Sequence, residues 1–272
     1  MSVRVTKPDY DVSFVFSSPK APSVYVSIKD DDKPTLVNPE WVAYNVKAVR
    51  AARKQGGRIL VLTNSFVANS KIAEALRDDG MPVIEQTRQT MSDICANLLA
   101  ENPDGIFVSP SAWEGFDLDR RTGPDGLPAK IRHVIVTQVP FGTPDGSLEN
   151  ATLKYLAPRV DGLSKANSIL LGEIFDKAIR KFRQAFDCGI RGANDSFTFW
   201  MTDPRFPRSK SAGEYKFFAV RSNSAWRFKA FRDALPEWFI LSADYSRWDT
   251  GAMLDVDGTL IPFSEMEEVI YP

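Results

Sequence analysis

The chain is poor in the residues that build metal centres and disulfide scaffolds. Its 272 residues include two cysteines, Cys95 and Cys188, and one histidine, His133. Two thiols exclude a disulfide framework and cannot complete a four-cysteine zinc or iron–sulfur site, and a lone imidazole excludes multi-histidine centres. No apolar run approaches the ~20 residues of a membrane helix. The N-terminal MSVRVTKPDYDV is too polar for a secretory signal. No internal repeat or low-complexity segment is present. These absences point to a cytoplasmic protein without a membrane partner.

Hydrophobic residues make up 43% and charged residues 25%, which excludes wholesale disorder and allows a full core. The formal net charge of −1 conceals an asymmetry. Arg205 to Arg232 carries eight Lys/Arg against one acid, Glu214, and interleaves Tyr215, Phe217, Phe218, Trp226, Phe228 and Phe231. Asp233 to Pro272 carries nine acids against one base, Arg247. Adjacent blocks of opposite sign fit a polyanion-binding surface beside an acidic tail, with aromatics available to stack on bases. They fit equally two solvated faces over aromatic core.

The pattern predicts an α/β fold with an open, mostly parallel sheet. A lead-in over 1–35 holds one or two strands, at Val12–Phe16 and Val24–Ile28. Asn38-Pro39-Glu40 starts a helix that ends at Gly56-Gly57. Compact apolar runs at Arg58–Thr63, Met81–Glu85, Gly105–Ser109, Ile131–Thr137 and Ser196–Met201 read as buried strands. Helices are expected at Ala68–Asp79, Ser92–Ala100 and Leu163–Ile190, and Asp119–Pro128 reads as a surface hairpin or loop. The main domain is placed at 36–235 and an acidic extension at 236–272.

In open α/β sheets, ligands bind at the carboxyl ends of the strands. Three polar constellations fall near strand ends. Thr63-Asn64-Ser65 can bond a phosphate or sugar oxygen, or simply cap the next helix. Ser109-Pro-Ser111-Ala-Trp-Glu114-Gly115-Phe-Asp117 places two carboxylates around a glycine turn, suited to a ribose hydroxyl or a metal-bound water, or to a structural turn over a buried Trp113. Gln184, Cys188 and Arg191 fall at i, i+4 and i+7, so one face of a helix presents all three; the alternative is a helix with a solvated basic face.

Taken together and in order, these segments resemble the second motor domain of DinG/XPD-type superfamily 2 DNA helicases, nearer to DinG. Val139-Pro-Phe-Gly-Thr-Pro-Asp145 and Thr202-Asp-Pro-Arg205 extend the match, which covers roughly residues 20 to 240. The resemblance implies a RecA-like domain that binds single-stranded DNA and one side of an ATP with its magnesium. It assigns Thr63, Asn64, Ser65, Ser109 and Ser111 to the nucleic acid and Glu114, Gly115 and Asp117 to the nucleotide. Gln184 and Arg191 would meet the γ-phosphate, Arg191 as an arginine finger, with 5′→3′ polarity.

Two departures qualify it. Asp187-Cys188 stands where the family has Gly-Arg. The sequence also contains no Gly-Lys pair, hence no phosphate-binding loop, and no Asp-Glu-x-His segment. The expectation is a motor half that depends on a first RecA-like domain elsewhere and does not hydrolyse ATP alone. The cysteines of the family's iron–sulfur insertion are missing, as in the CRISPR-associated DinG forms it resembles. The competing expectation is a non-catalytic nucleic-acid- or protein-binding module derived from that domain. Asp255-Val-Asp257-Gly-Thr imitates a phosphatase nucleophile motif, but a hairpin turn at Asp257-Gly258 explains it better. His133 and Cys95 are expected to be core residues.

Overall fold

The computed structural model describes residues 11–18, 20–24, 37–113, 116, 118, 120–140, 146–190, 195–204, 251–262 and 265. The strands are β1 (Asp11–Ser17), β2 (Arg58–Leu62), β3 (Val83–Glu85), β4 (Ile106–Ser109), β5 (Ile131–Val136), β6 (Ser196–Met201), β7 (Ala252–Leu254) and β8 (Leu260–Pro262). They form one eight-stranded sheet in the order β3-β4-β2-β5-β6-β1-β7-β8. Every pair is parallel except β7 with β8.

Helix α1 (Pro39–Arg53) begins as its sequence dictates: Asn38 Oδ1 accepts from Glu40 N–H at 3.0 Å and Pro39 occupies the first turn. Gly56 and Gly57, both at positive φ, turn the chain into β2, and a Cβ on Gly57 would meet Arg132 Cβ at 2.6 Å. Helices α2 (Phe66–Asp78) and α3 (Ser92–Glu101) follow their strands. Arg58 satisfies the last carbonyls of α3, donating to Leu99 O at 2.8 Å and Ala100 O at 2.7 Å.

Period-two alternation divides each strand between two core layers. Val15, Ile59, Val61, Ile106, Val108, Ile135 and Trp200 face α1 and α2. Phe14, Phe16, Leu60, Leu62, Phe107, Val134, Phe197 and Phe199 face α3 and the long helix α5 (Leu163–Asp187). Phe182 meets Phe199 edge-on at 5.6 Å, and Phe186 meets Phe197 at 5.3 Å. Such pairs add about 0.5–1.5 kcal/mol each beyond burial and lock α5 to β6.

The structure departs from the sequence expectation in four places. Strand β1, drawn with the lead-in, lies inside the main sheet between β6 and β7. Helix α4 (Gly146–Leu156) and the 3-10 turn Ala157–Arg159 were not anticipated, because their few apolar residues carry no clear period. Met201 does not end the sheet: β7 and β8, from the acidic extension, join it through β1. Their turn is the expected hairpin, with Asp255 N–H donating to Thr259 O at 2.8 Å and Gly258 at φ 95°. Finally, α5 stops at Asp187 rather than near Ile190. A Cβ at Gly189 would lie 2.2 Å from the Phe197 ring, so close packing against β6, not helical periodicity, sets the chain's path there.

The expected hairpin within 119–128 is present as an antiparallel bridge between Thr122 and Pro128. The anticipated strand at 24–28, apart from Val24, lies outside the described residues. So do the basic segment from Arg205 and most of the acidic extension.

A polar belt at the carboxyl ends of the strands

Strands β2 and β5 are sheet neighbours, yet the chain leaves them in opposite directions, toward β3 and toward β6. That is the topological switch at which open α/β sheets bind ligands. Around it, hydrogen bonds join the ends of five strands.

Thr137 Oγ1 donates to Leu62 O at 2.8 Å. Asn64 Nδ2 donates to Val139 O at 2.9 Å, while Val139 N–H donates to buried Asp203 Oδ2 at 2.8 Å. Trp113, also buried, donates from Nε1 to Thr63 O at 2.8 Å. Ser111 Oγ donates to Gln86 Oε1 at 2.7 Å, and Ser109 Oγ donates to the same oxygen. Asn69 Nδ2 closes the belt by donating to Gln86 O at 3.0 Å. Each apolar strand thus ends in a polar residue that is bonded sideways to its neighbour.

The residues expected at the nucleic acid occupy this belt in two ways. Thr63 and Ser109 are fully buried. The Thr63 hydroxyl lies 3.3 Å from Asn69 Oδ1, and Ser109 Oγ accepts from Ala112 N–H at 2.8 Å. Both hold turns in place rather than present their hydroxyls outward. Asn64 and Ser65 are half-buried and Ser111 is exposed. Ser65 also caps α2, accepting from Ala68 N–H at 3.2 Å, so the capping alternative for this triplet is realised as well. Phe66 is the next residue, and the exposed Arg88 stacks its guanidinium 5.5 Å from that ring's centre.

The expected nucleotide residues Glu114, Gly115 and Asp117, and Arg191, lie outside the described residues. Their flanks are described. Trp113, Phe116 and Leu118 run across the core layer beneath α5, and Cys188 Sγ lies 3.9 Å from Ala112 O. The end of α5 therefore abuts the loop after β4. The expectation that one helix face presents Gln184, Cys188 and Arg191 is not met. Gln184 is exposed, Cys188 turns inward, and the helix ends before Arg191.

Sequence reasoning missed Asn69, Gln86 and Gln138. Gln86 directly follows β3 and Gln138 lies two residues after β5, and that position past a strand was the available signal. Gln138 is 8% exposed, and among the described residues its Oε1 has no hydrogen-bond partner. An orphaned buried polar atom costs about 1–3 kcal/mol. Trp41 Nε1, on the buried face of α1, also has no partner among the described residues. Among the described residues, no group of three or more His, Cys, Asp or Glu is placed to hold a metal, and no helix is long and apolar enough to cross a membrane.

An open, mostly parallel sheet, covered by helices on both faces and gathering its polar side chains at the strand carboxyl ends, is a doubly wound α/β architecture, the class to which RecA-like domains belong. The model of the family described as "Helicase C-terminal domain" matches residues 48–216, and the chain belongs to that family. Among solved structures it is similar to an XPD helicase, with a TM-score of 0.50 and 17% sequence identity. The similarity covers 73% of this chain and 32% of that one, so the chain spans about a third of the helicase's length. At this identity the likeness is one of fold. No curated protein matches the chain.

Proposed function

We propose that the chain is the second motor domain of an ATP-dependent, DinG-type DNA helicase. In this reading a single strand lies along the carboxyl-end belt, touching Asn64, Ser65 and Ser111, with Arg88 and Phe66 at its rim. The observation that carries it is the junction of the loop after β4 with the end of α5, because it joins the belt to the segment holding Gln184 and Arg191. A movement of one segment is felt by the other, as coupling of nucleotide to strand requires.

ATP is shared with a first RecA-like domain, which supplies the phosphate-binding loop and the magnesium ligands. Arg191 and Gln184 close on the γ-phosphate from this side, and Glu114, Gly115 and Asp117 line the nucleotide. Translocation runs 5′→3′. In a motor reconstituted with its first domain, Arg191→Ala lowers hydrolysis by about 10³-fold or more while strand binding persists. Normal turnover in that variant refutes the assignment.

One observation favours a second reading, a non-catalytic binding module. At the position of the family's first motif arginine, Cys188 is packed against the loop after β4. Absence of hydrolysis in the reconstituted wild-type motor, with strand binding retained, selects this reading.

A further inference from the structure

We propose that Arg88 and Phe66 form a stacking step for a base of the bound strand. The inference rests on the nucleic-acid reading of the belt and gives two residues at its rim a chemical role.

Arg88 is presented by a well-anchored turn. Gln86, at its root, donates from N–H to Val108 O at 3.0 Å, accepts from Asn69 at its carbonyl, and accepts from Ser109 and Ser111 at its side-chain oxygen. The turn from Thr87 to Thr90 is closed by Thr90 N–H, which donates to Thr87 O at 3.3 Å, and by a 2.7 Å bond between the two threonine hydroxyls. Arg88 leaves this turn exposed, and its guanidinium lies 5.5 Å from the centre of the half-buried Phe66 ring. Among the described residues it has no hydrogen bond and no ion pair. Glu85, the nearest acid along the chain, is taken by Arg77 at 2.8 Å and by Ser70 at 2.7 Å.

The surroundings suit a flat, partly apolar ligand. Val67 directly follows Phe66, and Met91 lies three residues after Arg88. They are 63% and 65% exposed, and no large hydrophobic side chain among the described residues is more exposed. Ser65 directly precedes Phe66, and Ser111 is bonded to Gln86, two residues before Arg88. Hydroxyls suited to phosphate oxygens thus adjoin a planar cation, and a base lies on a guanidinium plane as it does on an aromatic ring. Phe66 holds that plane in place from one side. Every base has a π-face, so the step adds affinity without choosing a sequence.

The test is fluorescence anisotropy of the full chain with oligo(dT) and with an abasic deoxyribose strand of equal length and charge. The wild type should bind oligo(dT) at least about fivefold more tightly, the lower end of what one stacked base is worth. Arg88→Lys keeps the charge and removes the plane. Phe66→Leu keeps an apolar side chain and removes the ring. Each should lose about fivefold on oligo(dT) and nothing on the abasic strand. Arg88 is exposed, so Arg88→Lys should unfold at the wild-type midpoint, and it decides the matter where Phe66→Leu is destabilised. Equal losses on the two strands assign Arg88 to a phosphate and overturn the inference. So does an unchanged affinity of Arg88→Lys for oligo(dT). Both results leave the nucleic-acid reading standing. Binding of the wild type to neither strand removes that reading, and this inference with it.

Discussion

The two ends of the sheet handle polar groups in opposite ways. At the amino ends, polar side chains close on one another or on the backbone. His133 Nε2 lies 3.0 Å from Gly56 O, and Nδ1 lies 3.3 Å from Trp200 Nε1. The indole can only donate, so the ring is neutral with its proton on Nε2. Lys130 pairs with buried Asp195, and Arg132 Nη1 donates to Ser196 O at 2.8 Å. At the carboxyl ends, bonds run sideways between neighbouring strands, half-buried Asn64 and Ser65 and exposed Ser111 reach the surface, and the buried Gln138 Oε1 has no partner among the described residues. The first arrangement serves the fold. The second tolerates an unsatisfied group, which folding alone does not favour.

The largest expected effect breaks the amino end. Burial holds the His133 pKa down to about 4, against an ordinary value of 6.5. A depressed histidine stabilises the fold in full above pH 6.5, and this contribution is lost as the pH falls toward 4, because the unfolded chain takes up the proton first. The shift corresponds to about 3 kcal/mol. Urea unfolding at pH 7.5 and 4.5 measures it, and His133→Gln should flatten the difference; an unchanged pH dependence in that variant would assign the effect elsewhere. His133 is the chain's one histidine, so no other imidazole contributes.

A second substitution probes the junction between core and site. Gly189→Ala forces a methyl into the Phe197 ring and should cost about 1–3 kcal/mol by overpacking. Phe197→Leu in the same chain should recover part of that loss, read as a denaturation midpoint; no recovery would mean that the methyl strains something other than the ring. At the carboxyl end, Asn64→Ala removes the tether to Val139 and should cost about 1 kcal/mol of stability. It should also weaken single-strand binding several-fold in a salt titration. An affinity equal to wild type would take Asn64 out of the interface. The smallest effect on binding is expected at the amino end. Lys130→Ala takes the ion-pair partner from buried Asp195, at a cost in stability of about 1–3 kcal/mol, and leaves strand affinity unchanged. Weakened binding in that variant would collapse the contrast between the two ends.

Much of the fold is legible in local pattern. The runs Arg58–Leu62, Ile106–Ser109, Ile131–Val136 and Ser196–Met201 are apolar on both faces, as parallel strands between two helical layers must be. Asn38-Pro39 marks a helix start because its cap is a bond between residues two apart. Strands β7 and β8 are three residues each, too short to show a period, and they become strands only because β1 offers an edge. The site divides similarly. Polar residues directly after apolar strands mark Thr63, Asn64 and Ser109. The inward turn of Cys188 and the early end of α5 were hidden, since both follow from the meeting of Gly189 and Phe197.

Sequence alone determines the layers, the helix caps and the gathering of polar residues at strand ends, because these depend on periodicity and on neighbours a few positions apart. Tertiary packing decides which of those residues face outward. Thr63 and Ser109 are consumed by partners six and 23 positions away, whereas Asn64 and Ser65 stay half-buried and Ser111 exposed. Whether a polar group is spent on the fold or left for a ligand depends on contacts distant in the chain, and those exist only once the sheet has assembled.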